Sequence, residues 1–162
     1  MTDEAIIEQI RRRLDGVDVV TATPESGAPE MAWGDTFFIY DPDHVLTGAQ
    51  QFPFATLVTK DYGDFDSASN LNRPGVFRLN VGVTAKTYES LYGPTGPHDL
   101  AGGGRDFAVT DTLLPHPVYS RQHWVCILNP STDTFERVVW PLLLDANQMV
   151  AAKYQRRRAR AE

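Results

Sequence analysis

Between residues 17 and 83 this chain carries four strand-like runs in succession, joined by turns and loops with no helical pattern between them. Parallel neighbours need a long crossover, usually a helix, so strands joined in this way favour an antiparallel sheet. The first run, 17–23, is rich in β-branched residues, and Pro24-Glu-Ser-Gly-Ala-Pro29 reads as the turn after it. The second, 30–40, is Glu-Met-Ala-Trp-Gly-Asp-Thr-Phe-Phe-Ile-Tyr, with Gly34 suggesting a bulge or a close backbone approach. After the turn Asp41-Pro-Asp-His44 comes a third run, 54–59, and then a polar loop, 60–73. Pro74-Gly75 introduces the fourth run, 76–83, in which Arg78 and Asn80 face away from Phe77, Leu79 and Val81.

Helices flank these strands. Ile6, Ile7, Ile10 and Leu14 recur at helical spacing, with Thr2 as cap, Asp3 and Glu4 in the first turn and Gly16 at the end. Thr84 caps a short helix, 85–92, whose packing face is Tyr88, Leu91 and Tyr92. Residues 93–110 carry no pattern and include Gly102-Gly103-Gly104, which predicts a mobile loop. It is not a phosphate loop, because no Gly-Lys-Ser/Thr ending follows. Residues 124–128 form a fifth strand, and Ser131 caps a final helix with Phe135, Val138, Val139, Leu142, Leu143, Met149 and Val150 on its apolar face. Pro141 is expected to kink or divide that helix. The predicted architecture is one α+β domain over 1–162, an antiparallel sheet of five or six strands with the N- and C-terminal helices packed on one face.

Charge narrows the function classes. Of 15 basic residues, Lys153, Arg156, Arg157, Arg158 and Arg160 sit in the last ten positions, which leaves 10 basic against 20 acidic residues in 1–152. An acidic body repels phosphate backbones, so nucleic acid is a disfavoured partner. The basic tail, 155–162, reads as a solvated helix end complementing the helix dipole. The single cysteine, Cys126, excludes an intrachain disulfide and fits a reducing interior. No apolar run approaches a membrane span and the N-terminal residues do not resemble a signal peptide, so a cytoplasmic monomer or homodimer is expected.

The runs Met31-Ala-Trp-Gly-Asp35, Leu57-Val-Thr-Lys-Asp61, Phe77-Arg-Leu-Asn80 and Leu114-Pro-His-Pro-Val-Tyr119 to Asn129-Pro130 resemble an actinobacterial family of unknown function over about the whole chain. More remotely, Phe77-Arg-Leu-Asn80, the short helix after it, the strand from His123-Trp124-Val and the closing helix resemble the MmcQ/YjbR-like fold. The second resemblance implies an α+β domain of a kind described as a DNA-binding module. The first supplies no catalytic residues.

Two groups of residues carry chemistry. His116 lies between two prolines and is therefore held on a stiff backbone. Near Asp111 or Tyr119 it could act as a general acid/base, or it could simply bond a backbone carbonyl and order the turn. Arg78 and Asn80, with Lys60, Asp35, Trp33 and Tyr40, could line a polar and aromatic pocket on the open face of the sheet, Arg78 pairing an anionic ligand and Trp33 stacking on a planar one. The plainer alternative is a cross-strand ion pair of Asp35 or Asp61 with Arg78 or Lys60. Trp33 and Trp124, taken singly, read as core.

His98, Asp99, Asp106, Asp111, His116 and His123 are close in sequence but lack a metal-ligand spacing, so neither metal nor cofactor is expected. Asp61-Tyr-Gly-Asp-Phe-Asp66 lacks the downstream glutamate of a calcium loop, and Cys126 reads as inert packing. The leading expectation is a non-enzymatic module that binds a small anionic or planar ligand or a protein partner. Its rivals are a small enzyme using His116 as acid/base, with Arg78 and Lys60 holding an anionic substrate, and a nucleic-acid binder using the C-terminal arginines.

Overall fold

The computed structural model describes residues 1–94 and 104–162. Among the described residues six strands form one sheet: β1 (Val17–Thr21), β2 (Thr36–Tyr40), β3 (Ala55–Val58), β4 (Arg78–Gly82), β5 (Leu114–Pro115) and β6 (Trp124–Leu128). Their order is β1-β2-β3-β4-β6-β5 and every neighbouring pair is antiparallel. The fold is α+β, as the turn-linked strand runs predict.

The first helix, α1 (Asp3–Arg13), starts where Thr2 Oγ1 accepts the Ala5 N–H and carries its acidic residues in the first turn and its arginines in the last. The second, α2 (Ala85–Tyr92), is capped by Thr84. The C-terminal helical stretch is α3 (Thr132–Thr134), a π-helical turn (Phe135–Val139) and α4 (Trp140–Ala161). Pro141 lacks the N–H that would bond residue 137, and the wide turn directly before it takes up the break. The wider turn also shifts the helical phase, so Val138, expected on the packing face, is exposed while Phe135, Val139, Leu142 and Leu143 are buried. Of the expected basic tail, 155–162, residues 155–161 continue α4, and Arg158 pairs with Asp43 at 2.5 Å.

One sheet face packs against helices. Ile6, Ile10 and Leu14 of α1 and Leu142, Leu143 and Ala146 of α4 share a buried cluster with Phe38, Leu57, Leu79 and Ile127. The register then fixes the other face: Thr56 lies beside Asn80 and Asn80 beside Cys126, while Arg78 lies between Val58 and Leu128.

Two expectations are corrected. Residues 30–40 are not one strand, because Glu30–Ala32 form a 3-10 turn and Gly34 adopts φ +89°, a left-handed conformation that β2 only follows. Half of the segment 93–110, expected as a mobile loop, falls on residues outside the described ones (95–103, with Gly102 and Gly103). Thr110 bridges Leu128.

Gly82 has a packing role. A Cβ built there would stand 2.9 Å from Trp124 Cε2, so the absent side chain is what lets the indole lie across β4. Gly82→Ala is expected to lower stability by about 1–3 kcal/mol and to shift the tryptophan emission, as measured by urea titration followed by fluorescence.

Candidate functional site

Arg78 sits at the start of β4, a central strand, and is 1% exposed. A guanidinium stays charged at any working pH, and burying it costs several kcal/mol unless its donors are matched. The loop 60–73 supplies the match by folding over this sheet face. Arg78 Nη1 and Nη2 donate to Asp66 Oδ1 and Oδ2 at 3.0 and 2.6 Å, Nη1 also donates to Ser69 Oγ at 2.8 Å, and Nε donates to Asn80 Oδ1 at 2.8 Å. Burial acts to raise the Asp66 carboxyl, but the hydrogen bonds and charge of Arg78 outweigh it and hold the group below its ordinary range. The face expected to be open is thus roofed, and the partner of Arg78 is Asp66 rather than Asp35 or Asp61.

The loop is itself pinned at both ends. Asp61 Oδ1 accepts the Leu71 N–H at 2.8 Å, and Asn72 Oδ1 accepts the Asp61 N–H at 3.0 Å. Tyr62 donates its hydroxyl to Asp35, which also accepts the Thr59 N–H at 2.9 Å. Burial raises the Asp35 pKa against these bonds, and burial followed by the Asp35 hydrogen bond raises that of Tyr62.

His116 reaches the same cluster from the far edge. Its N–H bonds Trp124 O at 2.9 Å, extending the β5–β6 pairing by one residue. Pro117 then turns the chain, and the next two backbone N–H groups, of Val118 and Tyr119, both point at His116 Nδ1, each at 3.0 Å. The other ring nitrogen, Nε2, lies 3.2 Å from Arg78 Nη2. The ring is 2% exposed, and burial first, then the Arg78 charge, lower its pKa to about 3. His116 is therefore a neutral imidazole.

A cavity of about 670 Å³ opens beside this cluster. Arg78, Asn80, Asp66 and His116 form its polar wall, and Thr56, Val58, Phe54 and Trp124 much of its apolar wall. Phe52 and Phe65 stand at its mouth, 68% and 64% exposed, with Tyr119 at 42%. Phe65 packs on Tyr119 at 6.2 Å between ring centroids, Tyr119 on His116 at 5.0 Å, and Phe52 on Trp124 at 6.5 Å. Met149, Val150 and Lys153 bring α4 to the other end.

The chain belongs to the family of unknown function DUF6194. The family model matches residues 1–159, so the cavity and every strand fall within it. No curated protein and no solved structure matches the chain. No described helix is long and apolar enough to cross a membrane.

Of the residues expected at a site, Arg78, Asn80, His116 and Tyr119 meet at this cavity. Asp35, Lys60 and Trp33 stand behind it: Asp35 holds Tyr62, a wall residue, and Lys60 donates to the Trp33 carbonyl. Trp33 is exposed rather than core, donates its indole N–H to Ala28 O at 3.0 Å and does not line this cavity. Trp124, read as core, is instead a cavity wall, and Tyr40 packs edge-on against Tyr154 elsewhere. Asp111 is not among the hydrogen-bond partners of the His116 ring; it accepts the Ser131 N–H at 2.8 Å, which holds its carboxyl below the ordinary range. His98 and Asp99 lie outside the described residues. Cys126 is buried, and burial pushes its thiol up to about 12. The sequence reasoning missed Asp66, Ser69, Tyr62, Phe65 and Phe52. The signal was available in the alternation of Arg78 with buried residues on a central strand, which demands a carboxylate from the acidic loop just before it.

The lowered pKa of His116 fixes a pH dependence. Below the unfolded value near 6.5 the unfolded chain binds a proton that the folded chain refuses, so stability falls as pH drops from about 6.5 toward 3. The His116 contribution to the slope is up to about 1.4 kcal/mol per pH unit. His116→Asn keeps an acceptor for the Val118 and Tyr119 N–H groups while removing the titration. Urea unfolding at about pH 6, 5 and 4 is expected to show a shallower slope for the variant, by close to one proton; equal slopes would contradict the assignment.

Proposed function

We propose that this protein is a non-enzymatic binding module whose cavity takes a small, flat, largely apolar molecule. The observation that carries this reading is the cavity of about 670 Å³ with exposed Phe52, Phe65 and Tyr119 at its mouth. Large aromatic side chains left in water beside a concavity are what an apolar ligand would cover. An anionic ligand is less well served, because the Arg78 charge is already matched by a bidentate carboxylate.

His116 supports recognition over proton transfer. A ring pinned at Nδ1 by two backbone donors, with its pKa lowered to about 3, is a weak base at neutral pH. The engagement of Arg158 with Asp43 and the excess of acidic residues outside the C-terminal helix weigh against nucleic acid as partner. A cytoplasmic setting, a place in an actinobacterial family and kinship with the MmcQ/YjbR fold belong to this same proposal, the first supported by the single cysteine, free and buried.

Titration with the neutral fluorescent probe N-phenyl-1-naphthylamine tests the reading. Saturable emission enhancement with a raised melting temperature is expected. Phe52→Ala and Tyr119→Ala, both at exposed positions, should each weaken binding about 3–10-fold without unfolding the protein. No saturable binding, or binding indifferent to both substitutions, would overturn it.

A further inference from the structure

The hydrogen-bond inventory of the polar wall does not close. A neutral imidazole has one N–H and one bare nitrogen. Two backbone N–H groups converge on His116 Nδ1, so Nδ1 is the bare nitrogen and Nε2 carries the proton. Yet the neighbour of Nε2 within hydrogen-bonding distance, among the described residues, is Arg78 Nη2 at 3.2 Å, a group that can only donate. The opposite tautomer would move the conflict to Nδ1 and set three donors against each other there. Protonating the ring would relieve nothing, since it adds a donor.

Arg78 reinforces the point. Its Nε bonds Asn80, its Nη1 bonds Asp66 and Ser69, and one Nη2 hydrogen bonds Asp66. The second Nη2 hydrogen faces His116. Two buried N–H donors, on side chains 1% and 2% exposed, thus stand side by side on the polar wall of the cavity with no acceptor between them. An unmatched buried donor is costly, and a single oxygen placed against both would satisfy the pair.

We infer that this polar wall recognises an uncharged carbonyl oxygen carried on a flat apolar body, accepted jointly by His116 Nε2–H and Arg78 Nη2–H. The inference rests on the binding reading above and specifies the ligand class for that same cavity. A carboxylate fits less well, because it would share one guanidinium with Asp66, and two carboxylates held against one buried cation repel. A ligand without an acceptor leaves both donors unmatched. His116 acts here as a hydrogen-bond donor and Tyr119, packed on its ring, as part of the flat mouth.

Calorimetric titration with three naphthalenes of similar size tests this: 2-acetylnaphthalene, 2-ethylnaphthalene and 2-naphthoate. The wild-type protein should bind the acetyl compound about 10-fold or more tighter than the ethyl compound, and tighter than the naphthoate. His116→Asn, which keeps an acceptor for the turn but removes the Nε2 donor, should bring the ratio of acetyl to ethyl affinity, measured within the variant, down to about 3-fold or less. Equal affinities for the acetyl and ethyl compounds on the wild type would overturn the inference while leaving the binding reading intact. Tighter binding of the naphthoate would overturn the uncharged carbonyl. Absence of binding by all three, together with absence of N-phenyl-1-naphthylamine binding, would overturn the binding reading on which the inference rests. The wild-type comparison holds even if the variant does not fold, which its far-UV circular dichroism reports.

Discussion

A permanently charged guanidinium in the middle of the sheet governs how the rest of this molecule is arranged. Arg78 lies on β4 with strands on both sides and is almost entirely removed from water. Transferring that charge costs more than any single hydrogen bond returns, so the surrounding chain must deliver several acceptors at fixed positions. The loop 60–73 meets that demand with Asp66 and Ser69, and β4 itself with Asn80. The loop therefore lies over the sheet instead of extending into solvent, and its covering position creates the concavity beside it. Replacement of buried ion pairs by well-packed apolar residues is often neutral for stability, so what the Arg78–Asp66 pair secures is the polar wall.

His116 depends on the same charge. Proline on each side stiffens the turn, the following N–H groups occupy one ring nitrogen, and the guanidinium beside the other disfavours protonation. A histidine in that position is a fixed polar surface rather than a proton carrier. The same turn carries Tyr119 to the mouth of the cavity and returns the chain to β6, where Trp124 lies across Gly82. One short segment thus sets a hydrogen-bonding wall, a flat lip and an indole wall, while the helices on the opposite face supply the core that keeps the sheet rigid.

Much of this was legible in the sequence. Turn-linked strand runs give the antiparallel sheet, and the alternation around Phe77 and Leu79 correctly sets Arg78 and Asn80 on the face opposite the main core. The stiffness of Pro115-His116-Pro117 marks the right place for a site, and Arg78 and His116 do meet. What strand periodicity does not encode is which loop returns to cover a face, because that depends on tertiary demand rather than local pattern. The acidic loop ending at Asp66 therefore read as a failed calcium loop instead of a counter-charge. Residues 30–32 read as strand because they run without a break into the aromatic and β-branched stretch 36–40, while Pro29 and the left-handed Gly34 impose a turn. Phe52 and Phe65 were invisible for a related reason: an isolated aromatic in a loop has no periodicity to betray its role.

The central physical claim is that His116 is a neutral ring, bare at Nδ1 and protonated at Nε2, locked beside a paired Arg78. Long-range proton–nitrogen correlation spectra of the imidazole, recorded from about pH 7 down to about pH 4, address it directly. The expected result is one set of ring signals with the proton on Nε2, unchanged across that range. A ring that titrates near its ordinary value, or that carries its proton on Nδ1, would contradict the arrangement of the polar wall.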